Sequence, residues 1–225
     1  MPIPERRSPG RVKNSQENDM SVRIIFATGN KGKMREIREI LKGASVPILS
    51  MAEAGVETDV VEDGTTFMEN SFIKARAIAA RCRELGFDED IVLADDSGLV
   101  VDALGGEPGI YSARYLGEDT PYSVKNAKII ERMEGVPEDK RSARFVCAIA
   151  CVMPDGRELS AEATYEGAIG YEEKGANGFG YDPIFYLPDR GVYSAELDPD
   201  EKNRISHRGK ALVKMRELLL AELGR

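Results

Sequence analysis

The chain has 225 residues, of which 42% are hydrophobic and 31% are charged, a balance typical of a folded globular protein rather than a disordered one. Its 39 acidic and 31 basic side chains give a formal net charge of -8. This argues against sequence-independent nucleic-acid binding, which needs a clustered basic surface, but it allows a small anionic ligand in a local basic pocket. The longest apolar run, residues 145–153, is shorter than the roughly 20 residues that cross a bilayer, so no membrane partner is expected.

The beginning of the chain and its cysteines bear on organisation and location. Residues 1–20 are polar and lack the apolar segment of a secretory signal. We expect them to be a disordered extension, or to precede the true start at Met20, and residues 21–225 to form a single domain. The cysteines include no CxxC pair, which excludes a cysteine-rich zinc site. Because Cys147 and Cys151 lie in an apolar run, we expect buried, unreactive thiols and a cytoplasmic protein.

The first half of the chain has the alternation of strands and helices that is typical of an α/β protein. Apolar, β-branched runs predict three strands, at 22–27, 45–49 and 91–95. Apolar residues that recur every three or four positions predict a helix after the first strand. They also predict a long helix that begins near Thr65 and buries a stripe of side chains ending at Leu85.

The second half of the chain predicts a hairpin and further helices. Residues 142–153 and 158–170 have the pattern of two long paired strands separated by a Pro-Asp-Gly turn. Helix starts are predicted where a capping side chain precedes a proline at the first helical position, at Thr120-Pro121 and Asp198-Pro199. The chain ends in an amphipathic helix. We therefore expect an α/β fold with a mixed sheet, and two lobes are compatible with this order of elements.

The loop after the first strand is a candidate phosphate site. Between a strand and a helix, its sequence TGNKGK places backbone N–H groups, a helix N-terminus and lysines together, an arrangement that favours phosphate. It is not a Walker A loop, and an ordinary strand-to-helix turn with solvated lysines is the alternative. The candidate substrate-binding residues are Thr28, Gly29, Asn30, Lys31, Gly32 and Lys33.

The segment ADDSG, residues 94–98, is a candidate metal site. Asp95 and Asp96 follow a buried strand, and burying two adjacent carboxylates costs several kcal/mol unless a cation or hydrogen-bond donors compensate. Carboxylate chemistry with almost no histidine suits Mg²⁺, which binds one or two carboxylates plus substrate phosphate. Glu62 is a further acidic candidate. The alternative is an Asp-rich turn with Ser97 as its cap.

Two later segments are candidates for recognising a base. Phe179 and Tyr181 lie among glycines in GANGFGYDPIF, which suits an aromatic ring displayed for stacking, although a glycine-rich hairpin would look the same. EKNRISHRGKA concentrates basic residues around the chain's single histidine, His207, and a solvated corner between helices is the alternative. A Ser-His-Asp triad is not supported, because no GxSxG segment is present.

Taken in order, several motifs strongly resemble the inosine triphosphate pyrophosphatase family. They are ATGNKGK, the acidic stretch before TFMENSFIKA, ADDSGLVVDALGGEPGIYSARY, GFGYDPIF and EKNRISHRGKAL, and the resemblance runs from about Val22 to the C-terminus. It implies hydrolysis of noncanonical purine nucleoside triphosphates (ITP, dITP, XTP) to the monophosphate and pyrophosphate with Mg²⁺. It also implies an elongated, two-lobed α/β fold with a central mixed sheet flanked by helices, a substrate cleft between the lobes, and a homodimer.

The resemblance assigns roles to residues that match its motifs. For the triphosphate these are Thr28, Asn30 and Lys33, with Ser97 as a further substrate contact. Asp96 is implied to be the catalytic proton acceptor and, with Glu62, a metal ligand, whereas the residues by themselves allow either Asp95 or Asp96 to accept the proton. The residues implied to bind the base and close the site are Phe179, Gly180, Tyr181, Asp182, Lys202, His207 and Arg208.

Two other functions stay open. The Maf-like nucleotide pyrophosphatases have a related fold and a different base preference, which a panel of substrates would reveal. A sensor that binds modified nucleotides without turnover is the other, although paired carboxylates facing phosphate bring little to a mere binder.

Overall fold

A computed structural model describes residues 22–42, 46–222 and 224. The predicted N-terminal extension, residues 1–20, lies outside the described residues. Within them, helices flank a seven-stranded sheet in the order β2-β1-β3-β4-β5-β6-β7. The strands are β1 (Ile24–Phe26), β2 (Ile48–Ser50), β3 (Ile91–Val101), β4 (Ser142–Val152), β5 (Glu158–Ile169), β6 (Phe185–Leu187) and β7 (Val192–Tyr193). The helices are α1 (Lys31–Ile40), α2 (Met51–Ala54), α3 (Phe67–Glu84), α4 (Tyr122–Arg132), α5 (Pro199–Ile205) and α6 (His207–Glu222).

The sheet is mixed, as predicted. Strands β2, β1 and β3 run parallel, and each of the pairs β3–β4, β4–β5, β5–β6 and β6–β7 is antiparallel. The alternation of side chains along β1 gives each face its own core, because successive residues of a strand point to opposite faces. Ile24 and Phe26 pack with α1 and α6 on one face. Ile25 packs with α3 on the other.

A third hydrophobic cluster lies at the far end of the long strands. There Leu99 and Val101 of β3 and Phe145 of β4 pack with Ile129 of α4 and Phe185 of β6. Strands β3, β4 and β5 therefore connect two packed regions, which correspond to the two lobes expected from the resemblance. The α/β fold with a central mixed sheet flanked by helices is confirmed.

The prediction that the third strand ends at residue 95 is wrong. Strand β3 continues to Val101, because β4 pairs with it from Val92↔Val152 to Val101↔Ala143. Its parallel neighbour β1 ends opposite Leu93. The two aspartates therefore lie inside a strand but beyond the carboxyl end of β1, where a sheet of parallel strands leaves room for a ligand.

Helix boundaries differ slightly from the sequence prediction. The predicted cap at Thr120 is wrong, because its hydroxyl donates to the Leu116 carbonyl at 2.8 Å and Pro121 is the residue that precedes α4. Asp198 does cap α5, since its side chain accepts from Asp200 N at 2.9 Å. Leu85, predicted to be buried, ends α3 and is 38% exposed.

The cysteines are buried, as predicted. Cys82, Cys147 and Cys151 are free thiols. Burial raises the pKa of Cys147 and of Cys151 to about 12, so neither is a reactive thiolate near neutral pH. Among the described residues, no helix is long and apolar enough to cross a membrane.

Gly98 marks a point of close contact between β3 and the loop that follows it. A Cβ atom there would lie 2.4 Å from Ser112 Oγ and 2.5 Å from the Gly109 carbonyl oxygen. We expect Gly98→Ala to lower the free energy of unfolding by about 2 kcal/mol or more, because the extra methyl group forces the backbone apart. Urea unfolding measures this. Gly29→Ala is the control for stability, since a Cβ there meets nothing within 4 Å, and equal losses in both variants would contradict the argument.

Candidate active site

A cavity of about 300 Å³ is lined in part by the long strands β3 and β4. Residues from distant parts of the chain line it together, and most residues predicted for the site are among them. These are Asn30, Lys33, Glu62, Asp96, Ser97, Phe179, Gly180, Tyr181, Asp182, Lys202, His207 and Arg208. Three others, Thr28, Gly29 and Lys31, line a separate pocket beside α1.

The loop before α1 differs from the expected cradle of free amides. Asn30 caps the helix, since its Oδ1 accepts from Gly32 N at 2.9 Å and from Lys33 N at 3.1 Å. Thr28 Oγ1 in turn accepts from Asn30 N at 3.1 Å. The loop therefore satisfies part of its own helix N-terminus, and Asn30 and Lys33 are the members that reach the cavity.

Asp95 is a buried structural anion. Its carboxylate is fully buried. Its Oδ2 lies 2.9 Å from Lys33 Nζ, 3.1 Å from Ser97 Oγ and 3.5 Å from Arg208 Nη2. Burial opposes ionisation, but the charges of Lys33 and Arg208 outweigh it and hold the pKa of Asp95 well below its usual range. A carboxylate enclosed in this way is not placed to meet a substrate water.

Asp96 has the opposite environment, because it lines the cavity. Its Oδ2 accepts from Asn70 Nδ2 at 3.1 Å and its Oδ1 accepts from Ser97 N at 3.0 Å. Partial burial raises the pKa of Asp96 above its usual value, and the Glu62 carboxylate adds to the shift. A raised pKa makes a carboxylate a better proton acceptor at neutral pH. Of the adjacent pair, Asp96 is therefore suited to chemistry.

Glu62 and Lys74 form an ion pair in the cavity wall. Lys74 Nζ lies 2.9 Å from Glu62 Oε1 and donates to the Asp95 carbonyl at 3.1 Å. Among the described residues, no cluster of three or more His, Cys, Asp or Glu side chains is arranged to hold a metal. Two of the carboxylates that line the cavity, Glu62 and Asp96, still fit Mg²⁺, which takes oxygen ligands and completes its shell with phosphate and water. Their mutual repulsion is what a cation would relieve.

Phe179 is held against the first turn of α1, at Gly32. A Cβ on Gly32 would lie 3.2 Å from the Phe179 ring, so the glycine permits this close approach. Lys202 Nζ and Arg208 Cζ lie over the ring, 5.3 Å and 5.6 Å from its centroid. The ring is thereby fixed at the cavity wall, where a planar base could stack on it.

The cations expected to close the site are neutralised inside the protein. Lys202 Nζ donates to Asp182 Oδ2 at 2.7 Å and to Glu36 Oε1 at 3.1 Å. Arg208 also bonds to Glu36, and it donates to Ser97 Oγ at 2.9 Å. Asp182 accepts from Phe179 N at 2.8 Å, so this carboxylate anchors the loop that carries the ring. Lys202 and Asp182 therefore order the part of the cavity that carries Phe179.

His207 is a neutral side chain that lines the cavity beside Phe145. Its ring stacks on Phe145, with the centroids 4.8 Å apart and the planes at 11°. Burial, assisted by Arg208 and Lys202, lowers the pKa of His207 well below its usual value. Within the described chain, His207 Nδ1 and Arg208 Nε are buried without a hydrogen-bond partner. Unpaired buried polar atoms are costly, so both suit a ligand.

Several residues of the site were missed from the sequence, namely Glu36, Asn70, Lys74, Tyr122 and Phe145. A spacing signal existed for three of them. Glu36 lies one helical turn after Lys33, and Asn70 and Lys74 lie one turn apart on α3, so each pair shares a helix face. Tyr122 and Phe145 carried no such signal, because they lie on α4 and β4, which reach the cavity only through the tertiary fold.

On a mixed α/β sheet, one cavity thus combines carboxylates, cations and aromatic rings, the groups that a nucleotide's phosphates and base require. The chain belongs to the Ham1 family, whose model matches residues 24–218. It is 49% identical over 198 residues to the dITP/XTP pyrophosphatase of Desulforamulus reducens, covering 88% of this chain and 96% of the relative. It is 47% identical over 194 residues to that of Geobacillus kaustophilus, covering 86% and 92%.

A solved structure gives the same result. A HAM1 protein from Coxiella burnetii superimposes with a TM-score of 0.78 at 39% identity, covering 89% of this chain and 99% of that chain. The family membership predicted from the motifs is confirmed.

Proposed function

We propose that this chain hydrolyses noncanonical purine nucleoside triphosphates, dITP, ITP and XTP, to the monophosphate and pyrophosphate and so clears them from the nucleotide pool. It is a nucleoside triphosphate pyrophosphatase of the Ham1 family, and relatives named dITP/XTP pyrophosphatase support its substrate class. One observation carries the proposal. The same cavity is lined by the carboxylate of Asp96 and the ammonium group of Lys33, and by the rings of Phe179 and His207.

The reaction needs a group that accepts a proton from water. A water oxygen forms a bond to phosphorus while the bond to the bridging oxygen breaks, and pyrophosphate leaves with the electron pair. Asp96 takes the proton that the water loses, since its carboxylate lines the cavity and is not neutralised by a salt bridge among the described residues. Asn70 and Ser97 hold the carboxylate in one orientation through their hydrogen bonds.

Lysines bind the triphosphate. Lys33 and Lys74 both line the cavity, each already paired with a carboxylate. A lysine acts on phosphate as a point charge, so the ammonium groups of Lys33 and Lys74 attract phosphate without demanding one phosphate geometry. Asn30 lines the same wall and adds a side-chain amide to the contacts.

Glu62 and Asp96 would hold Mg²⁺, which is the cofactor of the proposed reaction. When bound, it would supply positive charge that offsets the phosphate charge, including that of the leaving pyrophosphate. Lys74 positions Glu62 through its ion pair, so that the carboxylate stays at the cavity wall.

Glu62→Gln is expected to raise the Mg²⁺ concentration for half-maximal activity by about tenfold or more, because an amide is a weaker ligand than a carboxylate. The measurement is a Mg²⁺ titration of pyrophosphate release at saturating ITP. Glu57→Gln, an exposed position in the same irregular segment, is the matched control. Superimposable titrations for wild type and Glu62→Gln would remove Glu62 from the metal site.

Base selectivity follows from the hydrogen-bond donors at the aromatic end. The keto oxygen at position 6 of hypoxanthine or xanthine accepts from a donor such as Arg208 Nε, whereas the amino group of adenine cannot. Leaving such a buried donor unpaired costs about 1–3 kcal/mol. Stacking on Phe179 contributes to binding of every purine alike, since each base has a π-face.

The finer aspects of this proposal concern assembly and location. We propose a homodimer in the cytoplasm that has no nucleic-acid partner. The acidic balance, with a formal net charge of -8, supports the last point, because binding to phosphate backbones requires a basic surface.

A substrate panel tests the proposed function. Pyrophosphate release is measured from ITP, dITP, XTP, GTP and ATP, with and without Mg²⁺. The proposal expects kcat/KM for the first three to exceed that for ATP by about 100-fold or more, and activity to depend on Mg²⁺. A different order of bases would favour the Maf-like alternative. Tight ITP binding without pyrophosphate release would favour the non-catalytic sensor.

A further inference from the structure

Tyr122, the first residue of α4, lines the cavity but has no role in the reaction described above. Its hydroxyl forms no side-chain hydrogen bond within the part of the chain that the structure describes. Tyr181, which also lines the cavity, differs in this respect. The Tyr181 hydroxyl is already used, because it donates to the Ser112 carbonyl at 2.7 Å. Tyr122 is thus the tyrosine of this wall with a hydroxyl available to a ligand.

The ring of Tyr122 is fixed by its neighbours. It meets Tyr181 edge-on, with the centroids 5.2 Å apart and the planes at 88°. Lys125 Nζ lies over it, 5.0 Å from the centroid, and donates to the Ala113 carbonyl at 2.6 Å. A preorganised ring of this kind loses little conformational entropy when it contacts a ligand.

The hydroxyl end of the Tyr122 ring lies beside Gly180, in the loop that carries Phe179. A Cβ built on Gly180 would be 3.5 Å from Tyr122 Cε1 and 3.8 Å from Cζ, the atom that bears the hydroxyl. Gly180 directly follows Phe179, the stacking residue. The hydroxyl is therefore next to the segment that presents the base, in a partly buried setting where burial raises the pKa of Tyr122 and keeps the phenol protonated.

We infer that Tyr122 is a further substrate-binding residue, whose hydroxyl hydrogen-bonds to the purine base of the substrate. The inference rests on the proposed function and adds a base contact outside the motifs that carry the family resemblance. A phenol both donates and accepts, so it pairs with a keto oxygen or a ring nitrogen. The triphosphate is a poorer match, since a neutral hydroxyl attracts phosphate less than the cations of the cavity, which include Lys33, Lys74 and Arg114.

Binding of substrate fragments tests the contact directly. Calorimetric titrations of IMP, dIMP, ribose 5-phosphate and pyrophosphate are made on wild type and on Tyr122→Phe. The variant is expected to bind IMP and dIMP about three- to tenfold more weakly, the usual effect of one lost hydrogen bond, and to bind the other two ligands unchanged. In ITP hydrolysis, KM is expected to rise by the same factor while kcat is unchanged.

Tyr115→Phe is the matched control, since the Tyr115 hydroxyl accepts from Arg132 at 2.8 Å and Tyr115 belongs to the same hydrophobic cluster without lining the cavity. Unchanged IMP affinity in Tyr122→Phe would overturn the inference. Weaker binding of IMP but not of dIMP would also overturn it, because the Tyr122 hydroxyl would then contact the 2′-hydroxyl of the sugar. An equal loss of affinity for pyrophosphate would overturn it as well, because it would indicate a general structural effect. A wild type that releases no pyrophosphate from ITP would instead contradict the proposed function.

Discussion

Asp96→Asn is expected to lower kcat for ITP hydrolysis by about 100-fold or more, with a free energy of unfolding close to that of wild type. The amide keeps the shape of the carboxylate but cannot take a proton from water, and it is a weaker metal ligand. Stability is little affected, because Asp96 lines the cavity and no cation forms a salt bridge with it among the described residues.

Pyrophosphate release at saturating ITP and Mg²⁺ measures kcat, and urea unfolding measures stability. Asp88→Asn is the control, since this aspartate is exposed just before β3 and should leave both quantities unchanged. Turnover of Asp96→Asn within about threefold of wild type would mean that another group accepts the proton.

Asp95→Asn is expected to act on stability instead, lowering the free energy of unfolding by about 3 kcal/mol at neutral pH. The Asp95 carboxylate is fully buried, and it compensates the charges of Lys33 and Arg208, which lie 2.9 Å and 3.5 Å from its Oδ2. Removing one partner of a buried ion pair leaves the others with uncompensated charge, and that penalty is larger than the loss of a surface contact.

The loss in Asp95→Asn should also depend on pH. The folded-state pKa of Asp95 is lowered, so it lies below the value of about 3.9 for an unfolded aspartate. A lowered pKa stabilises the folded protein at pH values above the unfolded pKa, and this stabilisation is lost as the pH falls towards the folded pKa. The difference in unfolding free energy between wild type and variant should therefore be constant between about pH 5 and 7 and shrink below about pH 4.

Urea unfolding at several pH values measures this difference, with Asp88→Asn again as the reference. Equal stabilities of wild type and Asp95→Asn at pH 7 would contradict the buried-anion role. A difference that grows on acidification would contradict the direction of the pKa shift. Together, the two substitutions test whether Asp95 contributes to stability and Asp96 to catalysis.

Much of the fold was predictable from local sequence. The β-branched run of β1, the apolar period of α3, and the two strands β4 and β5 with their turn each carry a period that matches one secondary structure. The cap and proline at Asp198-Pro199 fixed the start of α5 for the same reason, since capping depends on residues within one helical turn. The motifs likewise identified most side chains that line the cavity.

The sequence by itself thus determined the family, the α/β class and most residues of the candidate site, because these depend on local periodicity and on short motifs. Only the tertiary structure decided the length of β3, the pairing of Glu36 with Lys202 and Arg208, and the position of Tyr122. It also separated Asp95 from Asp96. Neighbours in a strand point to opposite faces, so which carboxylate is enclosed by cations and which meets the cavity depends on what distant segments pack against each face.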